Sequence, residues 1–340
     1  MPSVRVRNPL DHSRPAHAPH PEEQDGRVYV DAVTSDLRPS DEPERIALGK
    51  ESRAPIDRLM QQAKAGTRPS GLGIRLLSGA IYCLLTAACV LLSEATTAIY
   101  LAVLCGICSW EFFVMLRADA KMPNETIGIV AAVAFPLAAW IFGGWGIVAV
   151  LALLMSALLA WYVFFPRARV SDVAVSLFGA LCTGLMMCGA MVMRMSVPDI
   201  WGGVLLLVVL VSIWGNDAFA YLVGSAFGKH KMAPIISPKK SWEGFFGGLA
   251  FSIAAWVGIS FLPGVTLHVA VAVVLGILCG IFGVLGDLVE SRIKRNSGFK
   301  DSGFAMPGHG GLLDRCDSQF LVFVIAALGL VLTGGIPTVL

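Results

Sequence analysis

The chain has 340 residues, 56% of them hydrophobic and 15% charged, with a formal net charge of +2. A soluble protein carries about a quarter charged residues, and here the apolar residues gather in blocks of about twenty, the length a helix needs to cross hydrocarbon. These features exclude a soluble globular enzyme, and the lack of short alternating segments excludes a transmembrane β-barrel. The expected class is all-α, a polytopic helical membrane protein.

Of the 8 cysteines, Cys83, Cys89, Cys105, Cys108, Cys182, Cys188 and Cys279 lie inside apolar stretches, and Cys316 alone stands among polar residues. That is neither a disulfide framework nor a zinc spacing. Cys105 and Cys108 form a C-x-x-C within a membrane run, where packing is the expected role.

Residues 1–70 differ from the rest, being rich in Pro, Asp, Glu, Arg and His without apolar periodicity. His12, His17 and His20 fall among prolines, which reads as a disordered cytoplasmic tail rather than a metal site. No apolar core of a signal peptide is present in it. A short helix is expected over Ile46–Lys64, kinked near Pro55.

Apolar spans follow near 76–93, 97–116, 126–142, 145–165, 173–193, 201–226, 245–262, 268–287 and 318–337, about nine in all. We divide them into N-terminal transmembrane helices over 71–200 and a catalytic region over 201–340, with polar loops at 228–244 and 291–317.

Charge placement orients the chain. Arg68 and Arg75 precede the first span, Arg117 and Lys121 follow the second, and Arg167 and Arg169 follow the fourth. Lys229, Lys231, Lys239 and Lys240 follow the sixth, and Arg292, Lys294, Arg295 and Lys300 follow the eighth. Alternate loops are thus basic, with Arg194 the exception on the other side. The expectation is a cytoplasmic N-terminus, an outer C-terminus and an odd number of spans, in the inner (plasma) membrane.

An ionised residue deep in a bilayer costs about 2.5–3.5 kcal/mol on insertion scales and therefore faces a cavity or a partner. Glu111 lies in the second span near its cytoplasmic end, as an interfacial residue paired with a neighbouring Arg or as a cavity group. Asn216 and Asp217 interrupt the sixth span, with Asp217 about 16 Å from the helix end at 1.5 Å per residue. Asp287 and Glu290 close the eighth.

The loop GSAFGKHKMAPIISPKKSWEGFFGG combines glycines, which allow close backbone approach, with lysines suited to phosphates. Ser237–Pro238 is expected to force a turn, and Ser241 to cap the helix beginning near Trp242. A phosphate at that helix start would meet free N–H groups and the dipole.

The stretch SRIKRNSGFKDSGFAMPGHGGLLDRCD, from Ser291 to Asp317, is the densest polar island. Its PGHGG run offers an anion nest. Asp314 and Asp317 share a helical face at the start of the last span, and Asp287 and Glu290 have the same spacing in the eighth. Four hard carboxylates beside phosphate-binding cations describe a Mg²⁺–nucleotide site. His309 is expected to bond a phosphate or hold the turn. No G-x-S-x-G, H-E-x-x-H or Walker motif occurs, which fits phosphoryl or nucleotidyl transfer by positioning and charge neutralisation.

Both loops resemble the phosphatidate cytidylyltransferases (CDP-diacylglycerol synthases). The resemblance runs through Ser291, Lys294, Arg295, Lys300, Asp301, Gly303, Pro307, His309, Gly310, Gly311, Asp314, Arg315 and Asp317, and earlier through Asp217, Ala220, Tyr221, Gly224, Gly228, Lys229, Pro234, Ser237, Pro238, Lys239, Glu243 and Gly244. It is strongest over about 210–320. Met306, Cys316, Ala218 and Phe219 depart from the family pattern. The resemblance implies CTP and phosphatidic acid as substrates, Mg²⁺ with a monovalent cation such as K⁺ as cofactors, and a homodimer. No nucleic-acid partner is expected.

On this reading Asp287, Asp314, Lys294, Arg295 and Asp217 form the catalytic set. Ser237, Lys239, Lys240, Lys300, His309, Gly310, Gly311 and Arg315 hold substrate phosphates, and Asp287, Asp314, Asp317 and Glu290 hold metal. The nearest rival is another CTP-dependent lipid enzyme, such as a polyprenol kinase. An ion-coupled transporter using Asp217 and Glu111 is a rival of another class, but it has no need of the dense Lys/Arg/Asp loop.

Overall fold

A computed structural model describes residues 72–117, 122–299, 301–303, 305–306 and 310–337. The expected tail, the helix over Ile46–Lys64, Lys121, Lys300, Pro307 and His309 lie outside the described residues.

The helices are α1 (Leu72–Leu92), α2 (Glu94–Arg117), α3 (Glu125–Phe164), α4 (Val170–Thr183), α5 (Cys188–Ser196), α6 (Asp199–Phe227), α7 (Trp242–Ile259), α8 (Val269–Asn296) and α9 (Leu313–Leu332). A short 3₁₀ turn, Leu185–Met187, joins α4 to α5 within one apolar stretch. Between α6 and α7 lies an antiparallel hairpin of β1 (Lys231–Ala233) and β2 (Ser237–Ser241), the two strands among the described residues. The turn is at 234–236, so Ser237 and Pro238 begin a strand instead of forming the turn expected of them. A two-stranded ribbon has two open edges, which is where a strand tolerates proline.

Among the described residues, 8 helical stretches are long and apolar enough to cross a membrane. The expected spans 126–142 and 145–165 fall within the 40-residue α3. A straight helix of that length would run about 60 Å, twice the roughly 30 Å hydrocarbon core. Gly143, between the two expected spans, has φ 60° and ψ −143°, a conformation that L side chains resist. A Cβ placed on Gly146 would lie 2.6 Å from the Ala138 carbonyl carbon. Residues eight apart in a straight helix are separated by about 12 Å, so the chain doubles back here.

Two boundaries matter for the site. Helix α8 runs on to Asn296, so Asp287 and Glu290 stand inside a helix and do not close it. Arg292, Lys294 and Arg295 are good helix formers, and cations in a last turn are favoured by the dipole. Helix α9 begins at Leu313, which puts Asp314 and Asp317 in its first two turns.

The interior is apolar and tight, with Phe113, Phe135, Trp256 and Phe323 fully buried. Outward-facing Leu84, Val130, Leu153 and Leu332 are exposed, as suits a lipid-solvated surface. Helices α6 and α7 pack closely through small residues: a Cβ on Gly244 would lie 2.5 Å from the Ala220 carbonyl oxygen, and one on Gly248 the same distance from that of Asn216. Without a hydrophobic drive between helices in lipid, such close backbone packing holds them together. Arg194, the cation that broke the charge pattern, is buried. Its Nε donates to the Val90 carbonyl at 3.0 Å and Nη1 to that of Asp199 at 3.2 Å, so it ties α1 to the start of α6.

Candidate active site

Helix α6 carries Asp217 on the same side as Tyr221, Gly224 and Ser225, about one turn apart, and all four line a single cavity of about 820 Å³. The hairpin forms a second wall with Lys231, Met232, Pro238, Lys239 and Lys240, and the start of α7 adds Ser241, Gly244 and Phe245. Helices α8 and α9 close it with Val284, Asp287, Lys294, Asp314, Arg315 and Asp317, and Asp301 joins from the loop between them.

The hairpin is locked to its helices by two contacts. Ser241 caps α7, accepting from the Gly244 N–H at 3.2 Å, as expected of Ser before a helix. Glu243 reaches back to His230, accepting from its N–H at 3.2 Å and lying 2.6 Å from Nδ1. Lysines 239 and 240 are thereby presented to the cavity from a pinned ribbon.

Across the cavity, Lys240 Nζ lies 2.7 Å from Asp287 Oδ2, and Ser291 Oγ donates to Asp287 Oδ1 at 3.0 Å. Two turns beyond Asp287 along α8, Lys294 Nζ lies 2.6 Å from both Glu290 Oε2 and Asp314 Oδ1, all three side chains nearly buried. A cation held between two carboxylates keeps its place and its charge. Asp314 Oδ2 also accepts the N–H groups of Ser302 and Gly311, each at 3.0 Å. Asp314 thus holds the loop in front of α9 as well as facing the cavity.

Asp317 sits where α8 and α9 pack closely, since a Cβ on Gly286 would lie 2.5 Å from its carbonyl oxygen. It feels the charges of Asp287 and Asp217, while Asp217 feels Lys240, Asp287 and Arg315. The carboxylates therefore fall into two groups. Asp217 and Asp287 face Lys240, and Glu290 and Asp314 share Lys294, whose charge also reaches Asp317.

Of the residues expected at the site, Asp217, Lys239, Lys240, Asp287, Lys294, Asp314, Arg315 and Asp317 line the cavity. Ser237, Glu290, Arg295, Gly310 and Gly311 are not in its described lining. Glu290 stands behind Lys294. Arg295, next in sequence to Lys294, is exposed and donates to the Phe299 carbonyl at 3.5 Å. Gly310, with φ 91°, bridges to Met306 and shapes the loop. Lys300 and His309 lie outside the described residues.

Sequence reasoning missed the partners of Glu111. It is buried, and backbone N–H groups and a hydroxyl take the place of the neighbouring arginine expected. Its carboxylate accepts the N–H of Leu312 at 3.2 Å and of Leu313 at 2.8 Å, and the hydroxyl of Ser302 at 3.2 Å. The available signal was an acid in an apolar run with no cation within a helical turn.

No three described His, Cys, Asp or Glu side chains converge tightly enough to enclose a metal by themselves. The donor set still fits Mg²⁺, which takes one or two carboxylates and completes its shell with water and substrate phosphates. Lys240 and Lys294 place an ammonium against Asp287 and Asp314, the positions where a hard cation would be met.

The family model described as cytidylyltransferase family matches residues 73–333. Curated phosphatidate cytidylyltransferases are similar over a shorter part. That of Staphylococcus haemolyticus is 44% identical over 127 residues, which is 37% of this chain and 48% of the relative. Those of Staphylococcus epidermidis and Staphylococcus aureus are 42% identical over the same length and shares. The chain spans about half the length of the curated relatives it matches.

Proposed function

Because this chain belongs to the cytidylyltransferase family, we propose that it transfers the cytidylyl group of CTP to phosphatidic acid, giving CDP-diacylglycerol and pyrophosphate for phospholipid synthesis. One observation carries the reading. Lys231, Lys239, Lys240, Lys294 and Arg315 meet Asp217, Asp287, Asp314 and Asp317 in one cavity walled by membrane-length helices. A water-soluble triphosphate and a lipid phosphate need such a place to meet.

The lipid phosphate oxygen attacks the α-phosphorus of CTP in line, and the bond from that phosphorus to the departing pyrophosphate oxygen breaks. The attacking group is already anionic, so no strong general base is required. Lys239 and Lys240, on the pinned hairpin, bind the phosphates as point charges. Lys294, gripped by Glu290 and Asp314, holds a fixed positive charge opposite them, where negative charge spreads in the transition state. Arg315, which lines the cavity, adds a phosphate contact, and Lys300 and His309 are proposed to add others. Asp287 and Asp314, with Asp317 and Glu290 behind, would hold Mg²⁺ and a monovalent cation, which neutralise the triphosphate and ease pyrophosphate departure. Lys240 would then exchange its carboxylate partner for phosphate oxygens, while Lys294 stays held by Glu290.

The reading extends to the whole chain. The reversal at Gly143 supports nine crossings, and the alternation of basic loops supports a cytoplasmic N-terminus, an outer C-terminus and a cytoplasm-facing cavity in the inner membrane. A homodimer is part of the proposal.

Purified protein given Mg²⁺, phosphatidic acid and CTP labelled at either the α- or the γ-phosphate tests it. Label from the α-phosphate in the lipid, with release of pyrophosphate, is the expected outcome. Label from the γ-phosphate would identify a lipid kinase and overturn the reading. Chelation of Mg²⁺ should stop turnover, and re-addition should restore it.

A further inference from the structure

Glu111 belongs to α2, far in sequence from both polar loops, yet it touches the loop that carries the site. Helix α9 starts at Leu313, and its cap residue Leu312 offers no side-chain hydrogen bond. The first N–H groups of a helix have no partner within it, and a carboxylate there is favoured by the dipole as well as by the bonds. Glu111 supplies that carboxylate from another helix. Its Oε1 takes the Leu312 N–H at 3.2 Å and its Oε2 the Leu313 N–H at 2.8 Å.

The same carboxylate reaches the other end of the loop. Oε2 accepts the Ser302 hydroxyl at 3.2 Å, while the Ser302 N–H donates to Asp314 at 3.0 Å. Ser302 is thus held by both acids, and Glu111 and Asp314 grip one loop from opposite sides. Two glycines make room for this. A Cβ on Gly303 would strike the Glu111 carboxylate, and a Cβ on Gly311 would lie 2.7 Å from Glu111 Oε2. The absence of side chains at these positions therefore answers to an acid about two hundred residues upstream.

We infer that Glu111 is a positioning residue that fixes the segment before α9 at Ser302 and at Leu312–Leu313, and through these Asp314 and the Lys294 ammonium bound to Asp314. The inference rests on the cytidylyl-transfer reading for its kinetic part only. Glu111 does not face the cavity, so it acts by placing groups that do.

The decisive variant is Glu111→Gln, which keeps size and shape but sets an NH₂ against a donor, so that one donor loses its acceptor. The expected result with CTP and phosphatidic acid is a kcat about 10- to 100-fold lower, the scale of an ångström-sized misplacement. The KM for CTP should change less than about threefold, since binding by Lys239 and Lys240 is untouched. The Mg²⁺ concentration for half-activity should rise. Ser302→Ala removes one of the three contacts and should give a smaller change in the same direction. Hydrogen exchange of detergent-solubilised protein provides a readout without turnover. In Glu111→Gln the amide of Leu312 or of Leu313, whichever faces the new NH₂, should exchange at least tenfold faster, while helices α4 and α6 keep wild-type rates.

Wild-type kcat and Mg²⁺ response in Glu111→Gln would overturn the inference. So would unchanged exchange over 302–313, or faster exchange spread evenly over the chain. If the wild-type protein makes no liponucleotide, the reading of the reaction falls, and the exchange measurement alone decides the positioning role.

Discussion

Lys240 and Asp287 join the hairpin to helix α8 through a 2.7 Å ion pair. The pair is partly open to the cavity, with 22% and 28% of the two side chains exposed. An ion pair so placed adds little to stability, and on the proposed reaction it would come apart as the triphosphate binds. Lys240→Gln should therefore lower kcat/KM for CTP by at least about tenfold, roughly one phosphate contact, with thermal stability near wild type. Asp287→Asn should abolish turnover while the protein still inserts. Steady-state kinetics beside a melting curve check both, and near-normal activity in Asp287→Asn would remove Asp287 from the metal set.

Lys294 is the opposite case. Its side chain is 11% exposed and its partners Glu290 and Asp314 are 7% and 8% exposed. Replacing it by Met leaves two buried carboxylates facing each other, at a cost of about 3–5 kcal/mol. Lys294→Met should melt markedly lower than the wild type and be inactive. Pairing it with Glu290→Gln should recover part of the stability and none of the activity. Differential scanning fluorimetry in detergent separates these outcomes.

Asp314→Asn tests the double duty of that carboxylate. It should abolish turnover, and it should also loosen the loop, because the acid accepts from Ser302 and Gly311 as well as from Lys294. Tryptic cleavage within 292–315 should become faster. Full activity would show that Asp314 holds no catalytic charge.

Gly248→Val should separate α6 from α7. Its Cβ would fall 2.5 Å from the Asn216 carbonyl oxygen, on backbone that cannot yield without moving the helix bearing Asp217. A lower melting temperature and at least a tenfold loss of kcat are expected, whereas Gly258→Val, where a Cβ meets nothing within 4 Å, should be silent on both counts.

The crossing number is tested by tags at both termini in intact cells. Nine crossings put them on opposite faces, with the N-terminal tag protected from an impermeant label. Tags on the same face would mean an even number and would undo the orientation.

The cavity was legible where the chemistry is local. Asp287, Asp314, Lys239 and Lys240 are unusual residues between apolar blocks, and both loops carry a recognisable spacing. Arg295 was not separable from Lys294 by composition, because adjacent residues on a helix point about 100° apart and only one faced inward. The end of α8 was set too early, since the apolar block stops before the helix does. The hairpin was hidden because a pair of short strands has too few residues to show a period of two. The break at 143–144 was visible as a pair of glycines, but the reversal itself is a matter of backbone angles.

The contacts between Glu111 and the N-terminus of α9 also order events during synthesis. The acid emerges with α2, and its partners Leu312 and Leu313 emerge about two hundred residues later, at the start of α9. A ribosome that has released everything up to α8 has made a membrane-embedded chain whose Glu111 still has no N–H groups to receive. Such a chain also lacks Asp314, so it can grip neither loop nor Lys294. A truncated product should therefore be inert, and the proposed activity should arise only once α9 has entered the bilayer.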